Sequence, residues 1–454
     1  MIAEEPKNKI ITFGCRLNNF ESQSIKKALD EIDDKNLIVF NSCAVTSEAE
    51  KELRASIRKE KKLNPHAKIV ITGCASQIDP EKYAKMAEVD FIVGNADKTK
   101  AESYNFLKNP EFKYQNKIQE NSHPDKIFQD FKNKNSLNLS EDEHAKIRVN
   151  DIMSVQETAP QLASYFENQT RAFLEIQNGC NHRCTFCIIP FGRGNSRSVP
   201  FGVIVEQTKK MLEAGHQEIV LTGVDISDYG KDLPASMTLS QMIKRLLKMV
   251  PDLKRLRLSS IDVAEIDDEF IEIMANEPRL MPYLHLSVQS GDDTILKRMK
   301  RRHNRKQIVD FCDKIRNIRP EITFGADIIA GFPTEDEKMF ANSLSLINEA
   351  DLIFTHIFPY SARHGTPASK MPQLEKKIIK ERAKILREAG ANQLSQYLSK
   401  QIGKEFNILI EKNNRGKTEN FLDVKINGSH KLMENNIYFL KINSTLKNQL
   451  IVNL

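Results

Sequence analysis

Six of the seven cysteines in this chain fall into two groups of three. Cys180, Cys184 and Cys187 share the run Gly-Cys-Asn-His-Arg-Cys-Thr-Phe-Cys, a C-x3-C-x2-C spacing, while Cys15, Cys43 and Cys74 sit one apiece in three successive segments. Thiolates are soft ligands, and an iron–sulfur cubane is held by four of them. A set of three leaves one iron open, and an open coordination position separates a reactive metal site from a structural one. Two such sets point to chemistry rather than electron storage. The alternative is a zinc knot of the 180–187 cysteines with His182. Zinc motifs pair C-x2–4-C with a distant second pair, and no second pair follows here. Cys312, in the helical run Phe311-Cys-Asp-Lys, reads as a structural thiol.

Positioning these thiols falls to alternating β and α patterns. Strands are expected at Lys9–Phe13, Leu37–Phe40, Lys68–Ile71 and Phe91–Val93, with helices from Asn19, from Ser47 and from Pro80 after an Asp79 cap. Such alternation implies a parallel, doubly wound sheet, in which ligands collect at the carboxyl ends of the strands. Cys15, Cys43 and Cys74 each follow a strand, so three sequence-distant thiols can converge; three buried core cysteines are the plainer alternative. A second run of strands is expected at 172–177, 218–222, 255–259, 283–288, 323–329 and 352–358, giving a partial (β/α)6 barrel with its site on the loops after the strands. The 180–187 loop follows the first of these. Short strands at 406–410, 421–426 and 437–442 imply a small carboxyl-terminal β-barrel. The expected domains are therefore 1–115, a polar linker at 116–165, a core at 166–398 and a β module at 401–454.

Composition narrows the setting. Lys and Arg number 67 against 61 Asp and Glu, a formal charge of +6 in 454 residues, which is compatible with nucleic acid without demanding it. Residues 401–454 carry eight Lys and Arg against five Asp and Glu. No apolar run approaches the roughly 20 residues of a membrane helix. The opening Met-Ile-Ala-Glu-Glu-Pro-Lys has neither a secretory hydrophobic region nor an Arg-rich transit composition. The expected home is a reducing cytoplasm, where clustered cysteines serve as ligands rather than disulfides.

Several motifs carry a resemblance. Thr12-Phe-Gly-Cys-Arg-Leu-Asn18, Asn41-Ser-Cys-Ala-Val-Thr46, Thr72-Gly-Cys-Ala75, Gly179–Ser198, His285–Asp293 and Tyr360–Pro367 resemble, in order, the motifs of the radical S-adenosylmethionine (SAM) methylthiotransferases. Within that family Asn41–Thr46 is most similar to the enzymes acting on N6-threonylcarbamoyladenosine at position 37 of tRNA, and 401–454 resembles the RNA-binding TRAM domain. The resemblance implies two [4Fe–4S] clusters, one on Cys180, Cys184 and Cys187 with SAM on its free iron, the other, sulfur-carrying, on Cys15, Cys43 and Cys74. It places Phe186 beside the SAM adenine and assigns SAM contacts to Gly223, Ser259, Ser260 and Gln289. Arg193 and Arg197, flanking a Gly-rich turn, are candidates for gripping RNA phosphate or a SAM carboxylate, with solvated surface cations as the alternative. No catalytic acid or base is identified. The implied partners are the tRNA anticodon stem-loop and an electron donor such as flavodoxin or ferredoxin, with no membrane. Rival readings are the isopentenyladenosine version of the reaction, methylthiolation of a ribosomal-protein aspartate, and a non-catalytic iron–sulfur or zinc RNA-binding protein. Thr334 stands where Gly-Phe-Pro-Gly is usual, which puts the local turn in question.

Overall fold

The structure, a computed structural model, describes residues 8–32, 36–107, 140–155, 170–428 and 432–454. The described residues fall into two compact units. One draws on Met1–Ala163, Gln177–Ser198 and Ser361–Ser369, the other on Ser164–Ile176, Val199–Tyr360 and Lys370–Leu454. This division crosses the boundaries expected from the sequence: the loop bearing Cys180, Cys184 and Cys187 packs into the amino-terminal unit, and the carboxyl-terminal module shares a unit with the barrel strands.

The first unit is built on parallel strands β1 (Lys9–Thr12), β2 (Leu37–Ser42), β3 (Lys68–Gly73), β4 (Phe91–Val93) and β5 (Ile147–Arg148), adjacent in that order. Side chains alternate across a strand, and β2 uses both faces. Ile38 and Phe40 pack with Leu53 and Ile57 of helix α2 (Ser47–Leu63), while Leu37 and Val39 pack with Ile25 and Leu29 of helix α1 (Arg16–Asp30). Helices on both faces make it doubly wound, as expected. Thr46 caps α2 by accepting from Ala49 N, and Asp79 accepts from Lys82 N ahead of Pro80. One expectation fails here. Residues 140–155 are not linker: β5 extends the sheet, and Ile152 and Met153 are buried in the α2-side core. Their two-residue strand is too short to show periodicity. The rest of the expected 116–165 linker, 116–139 and 156–165, lies outside the described residues.

The second unit holds six parallel strands: β6 (Arg171–Glu175), β7 (Glu218–Thr222), β8 (Arg255–Leu258), β9 (Tyr283–Gln289), β10 (Thr323–Ala330) and β11 (Leu352–Pro359). β6, β7 and β8 pair in sequence. The third strand then breaks at Ser259, and its continuation Ser260–Ile261 pairs with β9, followed by β10 and β11. The result is an open arc, a partial barrel.

Where three terminal strands were expected, six form one curled sheet, including 405–411, 415–417, 423–427 and 437–441. Its 417–421 turn closes the amino end of the barrel. Phe421, at φ 72°, stacks on Tyr283 with centroids 4.6 Å apart, under the Arg257 guanidinium at 4.9 Å. Arg257 is fully buried, donating to Glu218 at 2.8 and 3.0 Å and to Glu419 O at 3.0 Å. Thr323 donates to Asn420 O at 2.6 Å. Arg257, Tyr283 and Thr323, from three barrel strands, thus meet one turn of the terminal module. Phe421→Ala is expected to cost about 3–5 kcal/mol, read as a lower midpoint in denaturant unfolding. Phe439→Ala, on an exposed side chain of the same module, should leave the midpoint in place.

Candidate metal centres

Each of the first three cysteines leaves its strand at the carboxyl end, where a parallel sheet gathers ligands. Cys15 is the N-cap of α1, Cys43 directly follows β2, and Cys74 directly follows Gly73, the last residue of β3. Glycine makes the convergence possible. A Cβ on Gly14, at φ +93°, would lie 2.6 Å from Cys43 Cβ and 2.7 Å from its Sγ. The three thiols sense one another: burial first, then Cys74, with Cys15 adding to it, pushes the Cys43 thiol up to about 11. Gathering them with their protons lost therefore calls for a cation, which is what the irons of an iron–sulfur group supply. The donor set and the glycine cradle fit such a group.

The second trio is presented by a braced loop. Gly179, at φ +74°, turns the chain where a Cβ would strike Asn195 O at 1.9 Å. Cys180 N donates to Gly194 O at 3.0 Å, and Arg183 donates to Cys180 O and to Asn195 Oδ1, both at 2.9 Å. The His182 amide donates to Cys180 Sγ at 3.3 Å, a bond that favours thiolate over thiol. All three cysteines and Phe186 are partly exposed, as a site that must admit a small molecule requires. Three thiolates from one braced loop fit a cubane with one open iron.

The two trios meet through the segment that follows the second. A Cβ on Gly192 would lie 3.1 Å from Cys74 Cβ, and Asn95 donates both to Gly192 O at 2.6 Å and to Cys74 Sγ at 3.7 Å. Arg193 differs from expectation. It is 2% exposed, and its guanidinium donates to both Glu21 oxygens at 2.8 and 2.9 Å, to Asn18 at 2.5 Å and to Asn178 at 3.0 Å. It is neither a surface cation nor open to a phosphate, because α1 meets it with a carboxylate. Arg197 is also buried, donating to Asn195 O at 2.9 Å from a short strand paired with Gln177–Asn178.

In the second unit, Gly223, Ser259, Ser260 and Gln289 occupy the carboxyl ends of three adjacent strands. The Ser259 hydroxyl is buried without a hydrogen-bond partner among the described residues, and Gln289 takes φ 67° at a register shift that ends β9. Non-glycine residues held in the left-handed region mark positions that the surroundings over-determine. Thr334 does adopt the left-handed turn, at φ 67°. Sequence reasoning missed a further group inside the barrel. Asp327 Oδ1 lies 3.0 Å from His285 Nε2 and 3.3 Å from His356 Nδ1, and Tyr283 lies 3.1 Å from His285 Nδ1. Burial pushes the Asp327 carboxyl up, but the two imidazoles hold it well below the usual carboxylate range. The three residues come from β9, β10 and β11, with Asp327 opposite His356, so the signal is visible only once strand register is known.

Comparison with known proteins places these features. Residues 174–347 match the radical SAM superfamily and residues 7–94 match the uncharacterized protein family UPF0004. The chain is 52% identical to the threonylcarbamoyladenosine tRNA methylthiotransferase MtaB of Rickettsia prowazekii, covering 92% of this chain and 91% of that one. It is 34% identical to MtaB of Aquifex aeolicus, covering 92% and 96%. It is 30% identical to the tRNA-2-methylthio-N(6)-dimethylallyladenosine synthase of Erythrobacter litoralis, covering 89% and 86%. Among solved structures, the radical SAM methyltransferase TsrM of Kitasatospora setae shares the fold, with a TM-score of 0.55 at 12% identity over 80% of this chain and 75% of that one. No described helix is long and apolar enough to cross a membrane.

The glycine cradle is testable. Gly14→Ala should displace Cys43 and lower iron bound after reconstitution by about half, since one of two cubanes loses a ligand. Gly202→Ala, with nothing within 4 Å of the added carbon, should leave the iron content unchanged.

Proposed function

This chain belongs to the radical SAM tRNA methylthiotransferases, and on that premise we propose that it converts N6-threonylcarbamoyladenosine at position 37 of tRNA, beside the anticodon, to its 2-methylthio form. The observation that carries the choice of adenosine is the 52% identity to a threonylcarbamoyladenosine enzyme, against 30% to the dimethylallyladenosine branch. When bound, SAM and two [4Fe–4S] clusters supply the one-electron chemistry, the sulfur and the methyl group that a C2–H bond of adenine requires, because no acid–base side chain removes that hydrogen.

The chain's own residues hold and orient. Cys180, Cys184 and Cys187 would hold the cluster that receives SAM, with the His182 amide donating to Cys180 Sγ and Arg183 bracing the loop. Phe186 would lie along the SAM adenine. Gly223, Ser259, Ser260 and Gln289 would meet its amine, ribose and carboxylate, and the unpartnered Ser259 hydroxyl supports a ligand there. Cys15, Cys43 and Cys74 would hold the second cluster. The terminal module, whose 417–421 turn is spent on the barrel, would meet phosphate through exposed lysines such as Lys425, Lys441 and Lys447. The electron would come from a flavodoxin- or ferredoxin-type donor, in a reducing cytoplasm.

Nucleoside mass spectrometry of tRNA from cells with and without the gene tests this. The 2-methylthio derivative of threonylcarbamoyladenosine should vanish on deletion and return with the wild-type gene. Cys15, Cys43 and Cys74 all replaced by Ala should not restore it, yet should still cleave SAM reductively to 5′-deoxyadenosine. Loss of the dimethylallyladenosine derivative instead would reassign the substrate. Lys425→Ala, Lys441→Ala and Lys447→Ala combined should weaken tRNA binding and flatten its salt dependence, by up to about one unit of slope for each phosphate no longer neutralised. An unchanged slope would move the RNA-binding surface elsewhere.

A further inference from the structure

Beneath Cys15, Cys43 and Cys74 lies a polar group that the proposed reaction does not use. Glu21, 2% exposed at its side chain, accepts from Arg193 through both oxygens and from Lys98 at 2.5 Å. Lys98 is 1% exposed and also donates to Asn41 at 3.2 Å, and Tyr104 donates to Lys98 O at 2.6 Å. Asn18 accepts from Arg193 and donates to Phe13 O at 2.7 Å and Ser42 O at 3.0 Å, the carbonyls just before Gly14 and Cys43. The network therefore grips the two strand ends that deliver Cys15 and Cys43. Through Arg193 it also grips the segment packed on Cys74. Buried ion pairs are costly to assemble and are weak evidence of a stabilising role.

Its charge does not cancel. Two cations meet a single carboxylate, and Arg193 lies within electrostatic reach of Cys74 and Cys15, as Lys98 does of Cys74. We infer that Lys98 and Arg193, held on Glu21, are positioning residues whose excess positive charge sets the reduction potential of the iron–sulfur group on Cys15, Cys43 and Cys74. A cubane on three thiolates is anionic and gains another negative charge on reduction, so a buried cation beside it favours the reduced form. Glu21 is the counterweight that keeps the potential from rising further. This inference rests on the proposed cluster at these three cysteines.

The test uses the full chain with Cys180, Cys184 and Cys187 replaced by Ala, so that one cluster remains. Its potential is read by redox titration followed by electron paramagnetic resonance, beside an iron count. Lys98→Met removes a cation and should lower the reduced fraction at fixed potential about tenfold, a shift of about 59 mV for one electron. Glu21→Gln removes the counterweight and should shift it by a similar amount the other way. Arg193→Lys, which keeps the charge, should stay near the parent. Opposite shifts at full iron content are the signature, because a merely structural role would move both variants alike. Shifts in the same direction, no shift at full iron, or iron lost from both variants would overturn the inference. A parent without iron would instead overturn the cluster assignment itself.

Discussion

Thiolates repel one another, and a protein that gathers three of them in a partly buried place must solve that repulsion before any chemistry begins. Here the solution is distributed. The sulfurs come from three strand ends, so no short loop has to bend to collect them. Gly14 gives up its side chain so that Cys43 can approach. The Cys43 thiol, pushed up to about 11 by burial and by its neighbours, shows how strongly the arrangement disfavours an uncompensated anion. A bound cationic group relieves it, and the buried Lys98–Glu21–Arg193 network stands ready on the same side.

The second trio meets the same constraint differently. Its three cysteines lie within eight residues, and the work goes into fixing the loop. A left-handed Gly179, the Arg183 brace and the contact of Gly192 with Cys74 do so. The last of these matters twice, because the helix that ends the loop, Ile189–Arg193, also packs against Cys74 of the first trio. One short segment therefore serves both centres. A change in it is felt by two sites at once.

The barrel shows the same economy at its amino end. An open arc of six strands leaves an amino end that solvent would enter, and the Arg257–Glu218 pair there has polar atoms that need partners on the side facing out. The terminal module fills that end with Phe421 and with the carbonyls of Glu419 and Asn420. The module's 417–421 turn is thereby spent on the barrel. The module's exposed residues include Lys425, Lys441 and Lys447, on which the proposed phosphate contacts rest.

Much of this was legible in the residues. Periodic β-branched strands, the Asp79–Pro80 cap, the helix start near Ser47, and cysteines placed just after strands are local signals, and local propensity and backbone geometry decide them. The convergence of Cys15, Cys43 and Cys74 followed from the rule that parallel sheets present their carboxyl ends together. Tertiary structure alone decided the rest. Arg193 reads as a free cation in a Gly-rich stretch until α1 brings Glu21 against it from 172 positions away. β5 is two residues long and carries no period of its own, yet β4 recruits it into the sheet. His285, Asp327 and His356 meet only because three strands align in register. Charge pairing and strand pairing over such separations depend on where the chain returns, and no local pattern encodes that.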